Sequence, residues 1–75
     1  MADRVLDTSG LNCPLPILKA RKTLREMPPG ATLEILATDP ITMRDFPAFC
    51  RATGNQLLAA EEKGGRFRFV IKNPD

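Results

Sequence analysis

Histidine is absent from this 75-residue chain, and that absence removes several reaction classes at once. No Ser–His or Cys–His nucleophile pair can be assembled. The two cysteines, Cys13 and Cys50, cannot supply the four ligands of a structural zinc site. They are also too few and too far apart for the disulfide framework of a small secreted fold, so two free thiols in a reducing, cytoplasmic setting are expected. Long apolar runs are missing, so nothing is expected to cross a membrane. Met1-Ala2-Asp3-Arg4 leads into no signal-peptide core. A glycine-rich phosphate loop is missing too, because Gly64-Gly65 stands alone between hydrophilic flanks. Eleven basic residues against nine acidic ones leave a net charge of +2, too mild to announce nucleic-acid binding.

What is present suffices for one domain, expected over residues 1–75. A chain this short buries only about 60% of the surface its unfolded form exposes, which leaves no room for a substrate cleft beside a regulatory module. Arg4-Val5-Leu6-Asp7 reads as a short strand ended by Thr8-Ser9-Gly10. From Pro14 to about Met27 the pattern becomes helical, with Ile17, Ala20, Leu24 and Met27 on one face and Lys19, Lys22 and Glu26 opposite. Lys22 and Glu26 stand one turn apart, and Pro28-Pro29-Gly30 stops the helix. Thr32 to Thr38 alternates Leu33, Ile35 and Ala37 with Thr32, Glu34 and Leu36, as in a strand covered on one face.

A second helix starts either after Asp39-Pro40 or later, with Thr42 or Asp45 as its cap. Pro47 leaves the choice open, because deep inside a helix it costs about 3 kcal/mol. Phe46, Phe49, Cys50 and Thr53 share one side of this helix, and Gly54 ends it. Gln56 to Glu62 and Arg66 to Lys72 flank Gly64-Gly65 as a hairpin. In the last strand Phe67, Phe69 and Ile71 alternate with Arg66, Arg68 and Lys72, giving an apolar and a basic face. The order β-α-β-α-β-β predicts an α+β two-layer sandwich, with both helices packed on one face of a four-stranded mixed sheet.

The segment that carries chemistry is Leu11-Asn12-Cys13-Pro14-Leu15-Pro16, at the opening of the first helix. Pro14 suits the first helical position and drives Cys13 toward extended backbone, which makes Cys13 the expected N-cap. A thiol there meets the positive end of the helix dipole. Pro14 and Pro16 lack N–H donors, so only a modest acid shift is expected, and the prolines read as rigid posts beside a presented thiol. A lone cysteine is more often a small buried hydrophobe than a reactive centre, and the residues alone leave Cys13 open between the two. Cys50, one turn after Phe46 and next to Phe49, reads as core.

At Cys13-Pro14-Leu15-Pro16 the chain resembles the TusA/SirA-like sulfur-carrier family, whose signature is Cys-Pro-x-Pro. The resemblance runs through Leu6-Asp7, Gly10-Leu11, Arg21-Lys22, Pro29-Gly30, Thr38-Asp39-Pro40, Arg44-Asp45-Phe46-Pro47 and Phe49-Cys50, over about residues 5 to 72. It implies a βαβαββ sandwich, and a persulfide on Cys13 with Asn12, Pro14, Leu15 and Pro16 as its mount. The implied donor is a cysteine desulfurase or other sulfurtransferase, and the implied acceptor is a cysteine of another relay protein. Pyridoxal phosphate belongs to the desulfurase, so no cofactor is expected on this chain. Arg21, Lys22, Asp39 and Arg44 are candidates for a docking rim whose basic members would stabilise an anionic persulfide; the plainer reading of each is a solvated charge. Some members that feed tRNA thiolation carry an acidic residue where Leu15 stands. The Asn-Cys-Pro-Leu-Pro-Ile-Leu-Lys form resembles members tied to sulfur trafficking and sulfur oxidation. The pathway therefore stays open among tRNA thiolation, molybdenum cofactor assembly and sulfur oxidation.

Three rival readings follow from the residues. Arg66, Arg68 and Lys72, with Arg4 nearby, could form a basic stripe for RNA, although no aromatic residue is left on that face to stack bases. A stand-alone thiol oxidoreductase would need Cys50 as its resolving partner. A regulatory binding module would leave Cys13 incidental.

Overall fold

A computed structural model describes residues 2–74 of the chain. Its elements are β1 (Arg4–Asp7), α1 (Leu15–Arg25), β2 (Thr32–Ala37), α2 (Thr42–Thr53), β3 (Gln56–Lys63) and β4 (Arg66–Lys72). They form one four-stranded sheet in the order β1-β2-β4-β3. β1 runs parallel to β2, with Leu6 beside Ile35, while β4 is antiparallel to both β2 and β3. The two-layer α+β sandwich expected from the hydrophobic pattern is the observed fold.

Period-two alternation decides which face of the sheet is covered. Leu33, Ile35 and Ala37 of β2 and Phe67, Phe69 and Ile71 of β4 are buried, and their registers place Ile35 opposite Phe69. Ala20 and Leu24 of α1 and Phe46, Phe49 and Cys50 of α2 close over them. The Phe46 and Phe69 rings meet at a centroid distance of 4.7 Å. All four phenylalanines lie in this core.

The open face departs from the expected basic stripe. Arg68 donates from Nε to Glu34 Oε2 and from Nη1 to Glu61 Oε1, both at 2.9 Å. One guanidinium thus spans β2, β4 and β3, and its charge is matched by two carboxylates. Glu26 pairs with Arg4 at 3.6 Å rather than with Lys22.

Helix limits differ slightly from those read off the sequence. α1 closes at Arg25 because Glu26 and Met27 donate to the carbonyls of Thr23 and Leu24, three residues back, tightening the last turn. Beyond that end, Asn73 Nδ2 donates to the carbonyls of Leu24, Met27 and Pro28, so late chain covers orphan acceptors. α2 starts at Thr42 after a turn in which Thr42 N–H and Oγ1 both donate to the Asp39 carbonyl. Pro47 does sit inside α2, where it leaves the Met43 carbonyl without its helical donor. Gly54 ends α2 at φ 81°, a left-handed backbone that favours glycine.

Candidate functional site

Topology creates the site. β1 and β2 are parallel neighbours, and each is followed by a helix on the same face of the sheet. Both helix starts therefore rise from one edge, at the carboxyl ends of the two strands, where open α/β arrangements commonly place their chemistry. Cys13 lies at the first helix start and residues 39 to 45 make up the second.

The loop that carries Cys13 is tied down along its length. Thr8 is fully buried, and its N–H and Oγ1 both donate to the Leu36 carbonyl at 2.7 Å. Gly10 N–H donates to Thr38 Oγ1 at 2.8 Å. Cys13 N–H donates to Asp39 Oδ2 at 2.7 Å, and the other oxygen of that carboxylate accepts from Ile41 N–H at 3.1 Å. Asp39 thus holds both helix entries with one side chain. Asp39 is one of the docking-rim candidates, and both its oxygens are engaged by backbone amides.

Cys13 is not the N-cap of α1. The chain turns once more through a cis Cys13–Pro14 peptide, and Pro14 occupies the cap position with Leu15 as the first helical residue. Leu15 N–H donates to the Asn12 carbonyl at 2.9 Å, so Asn12 takes part through its backbone. Pro16 is fully buried while Pro14 and Leu15 are exposed. One proline anchors the helix start in the core and the other stands beside the thiol.

The thiol is exposed and its Sγ donates to Asp45 Oδ2 at 3.4 Å. The expected acid shift is reversed. The Asp45 hydrogen bond pushes the Cys13 thiol above its ordinary 9.0, desolvation and the charges of Asp45 and Asp39 push the same way, and only Arg44 opposes them. Cys13 stands one residue before the cap, Pro14 and Pro16 bring no N–H, and Leu15 N–H is spent on Asn12, so little of the helix dipole is set against the two carboxylates. The expected basic surroundings are likewise acidic, with Arg44 the one cation among the groups that shift the thiol.

Arg44 Nε lies 3.4 Å from Asp45 Oδ1, and the arginine side chain is 77% exposed. Arg21 and Lys22 lie farther along α1, and the structure gives neither a hydrogen bond or ion pair to the thiol. Arg21 instead lines a hollow of about 380 Å³ with Leu24, Arg25, Phe49, Thr53, Asn55 and Asn73. Exposed Leu15 and Leu18 on α1, with Ile41 and Met43 at the start of α2, give the same end of the molecule apolar surface. Cys50 is the reverse of Cys13, 5% exposed within the core, where burial pushes its thiol up.

Asp45 is the residue that sequence reasoning passed over as a partner of the thiol. The signal was available: parallel β1 and β2 put the two helix starts side by side, and Asp45 is the acidic residue in the first turn of the second. No group of three or more His, Cys, Asp or Glu side chains able to hold a metal ion occurs among the described residues.

Residues 4–73 match the family described as sulfurtransferase TusA. The chain belongs to the TusA sulfurtransferase family. It is 56% identical over 70 residues to the sulfur carrier protein TusA of Allochromatium vinosum, covering 93% of this chain and 92% of that one. A chain from Neisseria meningitidis serogroup A is 49% identical over 73 residues, covering 97% and 99%. Among solved structures, the SirA-like protein of Desulfitobacterium hafniense superposes with a TM-score of 0.84 over 96% of this chain and 99% of that one. At 24% identity that likeness speaks for the fold. No helix among the described residues is long and apolar enough to cross a membrane.

Proposed function

We propose that this TusA-family chain, acting as a single carrier domain, takes up sulfane sulfur as a persulfide on Cys13 and relays it to a cysteine of another protein. The observation that carries this reading is the contrast between the two thiols: Cys13 exposed on a tied-down loop between two helix starts, Cys50 sealed in the core. The chemistry needs nothing more. The Cys13 thiolate attacks the outer sulfur of a donor persulfide, a new S–S bond forms, the donor's S–S bond breaks and the donor cysteine leaves as a thiolate. Delivery repeats the exchange with the acceptor's thiolate as nucleophile and Cys13 as leaving group. No net oxidation occurs, and no cofactor is required on the carrier. The donor is a cysteine desulfurase or another sulfurtransferase, and the relay works in the cytoplasm. Leu15, Leu18, Ile41 and Met43 would meet such partners with apolar surface around the sulfur. The RNA reading loses support, because the central cation of the open face is matched by Glu34 and Glu61.

Intact-protein mass spectrometry tests the proposal after incubation with a cysteine desulfurase, pyridoxal phosphate and cysteine. A reductant-sensitive gain of one sulfur in wild type and Cys50→Ser, absent from Cys13→Ser, is the expected pattern. A gain that follows Cys50, or persists in Cys13→Ser, would overturn it.

A further inference from the structure

A carrier thiol 3.4 Å from a carboxylate is an odd choice for a nucleophile. Thiolate is the reactive form, and negative charge beside it favours the protonated one. The groups that bear on this sulfur are Asp39 from the turn before α2, and Arg44 and Asp45 from α2 itself. Asp39 is occupied by two backbone amides. Asp45 is different: one oxygen takes the thiol proton's hydrogen bond and the other meets only a largely solvated Arg44.

We propose that Asp45 is a positioning residue that locks Cys13 in the free carrier, and that a cationic side chain of the partner opens the lock by pairing with the Asp45 carboxylate. The idea rests on the carrier reading above and deepens it. The same contact would act on both halves of the relay. Before loading, a thiol held protonated is a poor nucleophile toward stray disulfides and electrophiles. After loading, the sulfur that must depart when a small thiol attacks the outer sulfur is again Cys13 Sγ, and a sulfur disfavoured as thiolate is a poor leaving group. In that loss the attacking thiolate bonds to the outer sulfur, the bond from the outer sulfur to Sγ breaks, and Sγ departs with the electron pair and takes a proton from water. A partner arginine or lysine at Asp45 neutralises the carboxylate and favours the thiolate in either direction. The half-buried carboxylate and the exposed thiol lie where a docked surface would reach both.

The test separates the lock from the carrier chemistry. In the unloaded protein, the rate of Cys13 alkylation by iodoacetamide is followed against pH in wild type, Asp45→Asn, Asp45→Glu and Arg44→Ala, with peptide mapping to set Cys50 aside and thermal melts to verify folding. Asp45→Asn is expected to move the midpoint down, because it removes the negative charge and the hydrogen bond that favour the protonated thiol. The gain in thiolate is partly offset by lower intrinsic nucleophilicity, and alkylation near pH 7.5 should run about threefold faster. Asp45→Glu should return toward wild type, and Arg44→Ala should move the midpoint upward. Loaded Asp45→Asn should lose its sulfur to glutathione faster than wild type, and it should need more desulfurase than wild type for half-maximal loading, because the partner cation has lost its carboxylate. An unmoved midpoint in folded Asp45→Asn, or a downward shift in Arg44→Ala, overturns the lock. Half-maximal loading at the same desulfurase concentration in the two proteins overturns the partner cation. A wild type that accepts no sulfur from any donor counts against the carrier reading instead, and the alkylation profile still decides whether Asp45 governs the thiol.

Discussion

Replacing Asp39 by alanine should both destabilise the fold and loosen the thiol, because one carboxylate accepts the amides of Cys13 and Ile41 at 2.7 and 3.1 Å. Hydrogen bonds to a charged acceptor are each worth about 1.5–3 kcal/mol. Both lie near solvent, where water replaces a lost partner, so the lower end applies and the pair contributes about 2–3 kcal/mol. A domain of this size has roughly 4–11 kcal/mol in total at 0.05–0.15 kcal/mol per residue, so a large share would go. At about 4–8 °C per kcal/mol, the midpoint of thermal unfolding should fall by about 8–24 °C. Asp39→Asn, which keeps one acceptor oxygen, should lose about half as much. Circular-dichroism melts supply the first number. Hydrogen exchange at the Cys13 and Ile41 amides supplies the second, and both amides should lose more protection than those of β2 and β4, which follow the global stability. A melting point within about 2 °C of wild type, under about half a kcal/mol, together with unchanged exchange at those two amides would refute the idea that Asp39 holds the helix entries.

Two further outcomes follow from the same geometry. Phe46→Ala removes a ring with no exposed surface that stacks against Phe69, and urea unfolding should show a loss of about 3–5 kcal/mol; less than about 1.5 kcal/mol would mean that α2 does not anchor the core. On the alkaline side, the proton is held more tightly by Cys13 in the folded chain than at its ordinary 9.0. The Cys13 contribution is therefore fully present below about pH 9 and fades as pH rises through the folded value. Cys13→Ser should show a shallower decline of stability between pH 8 and 10.5 in buffered urea titrations, and parallel curves would contradict the assignment.

Much of the fold was legible because β2 and β4 alternate cleanly and because Pro28-Pro29-Gly30 and Gly54 punctuate the helices. β3 was less so. The pairing slips between Leu57 and Ala59, a bulge that leaves Leu58 without a cross-strand partner in β4 and exposed. At the candidate site the Cys-Pro-Leu-Pro run identified the presented thiol but misplaced it by one position. Proline rules favour Pro14 as the first helical residue, whereas Pro14 is the cap, the helix starts at Leu15 and the Pro16 ring is buried. The sign of the thiol's shift was out of reach for another reason. It depends on Asp45, far away in sequence, and local reasoning about a helix dipole has no access to a carboxylate delivered by the neighbouring βα unit.

The placement of Cys13 between two helix starts, at one end of a body of 32 × 24 × 17 Å, also constrains the order of events in any relay. A stable protein contact covers about 800 Å² per partner, a sizeable part of the 4613 Å² this chain exposes. Donor and acceptor must each bring a sulfur within bonding distance of the same atom, so their footprints overlap and the two cannot dock together. Such a carrier works by alternation: it must leave the first protein before it can meet the second. Departure is then an obligatory step of every cycle, and surfaces that bind too well would slow the traffic they serve.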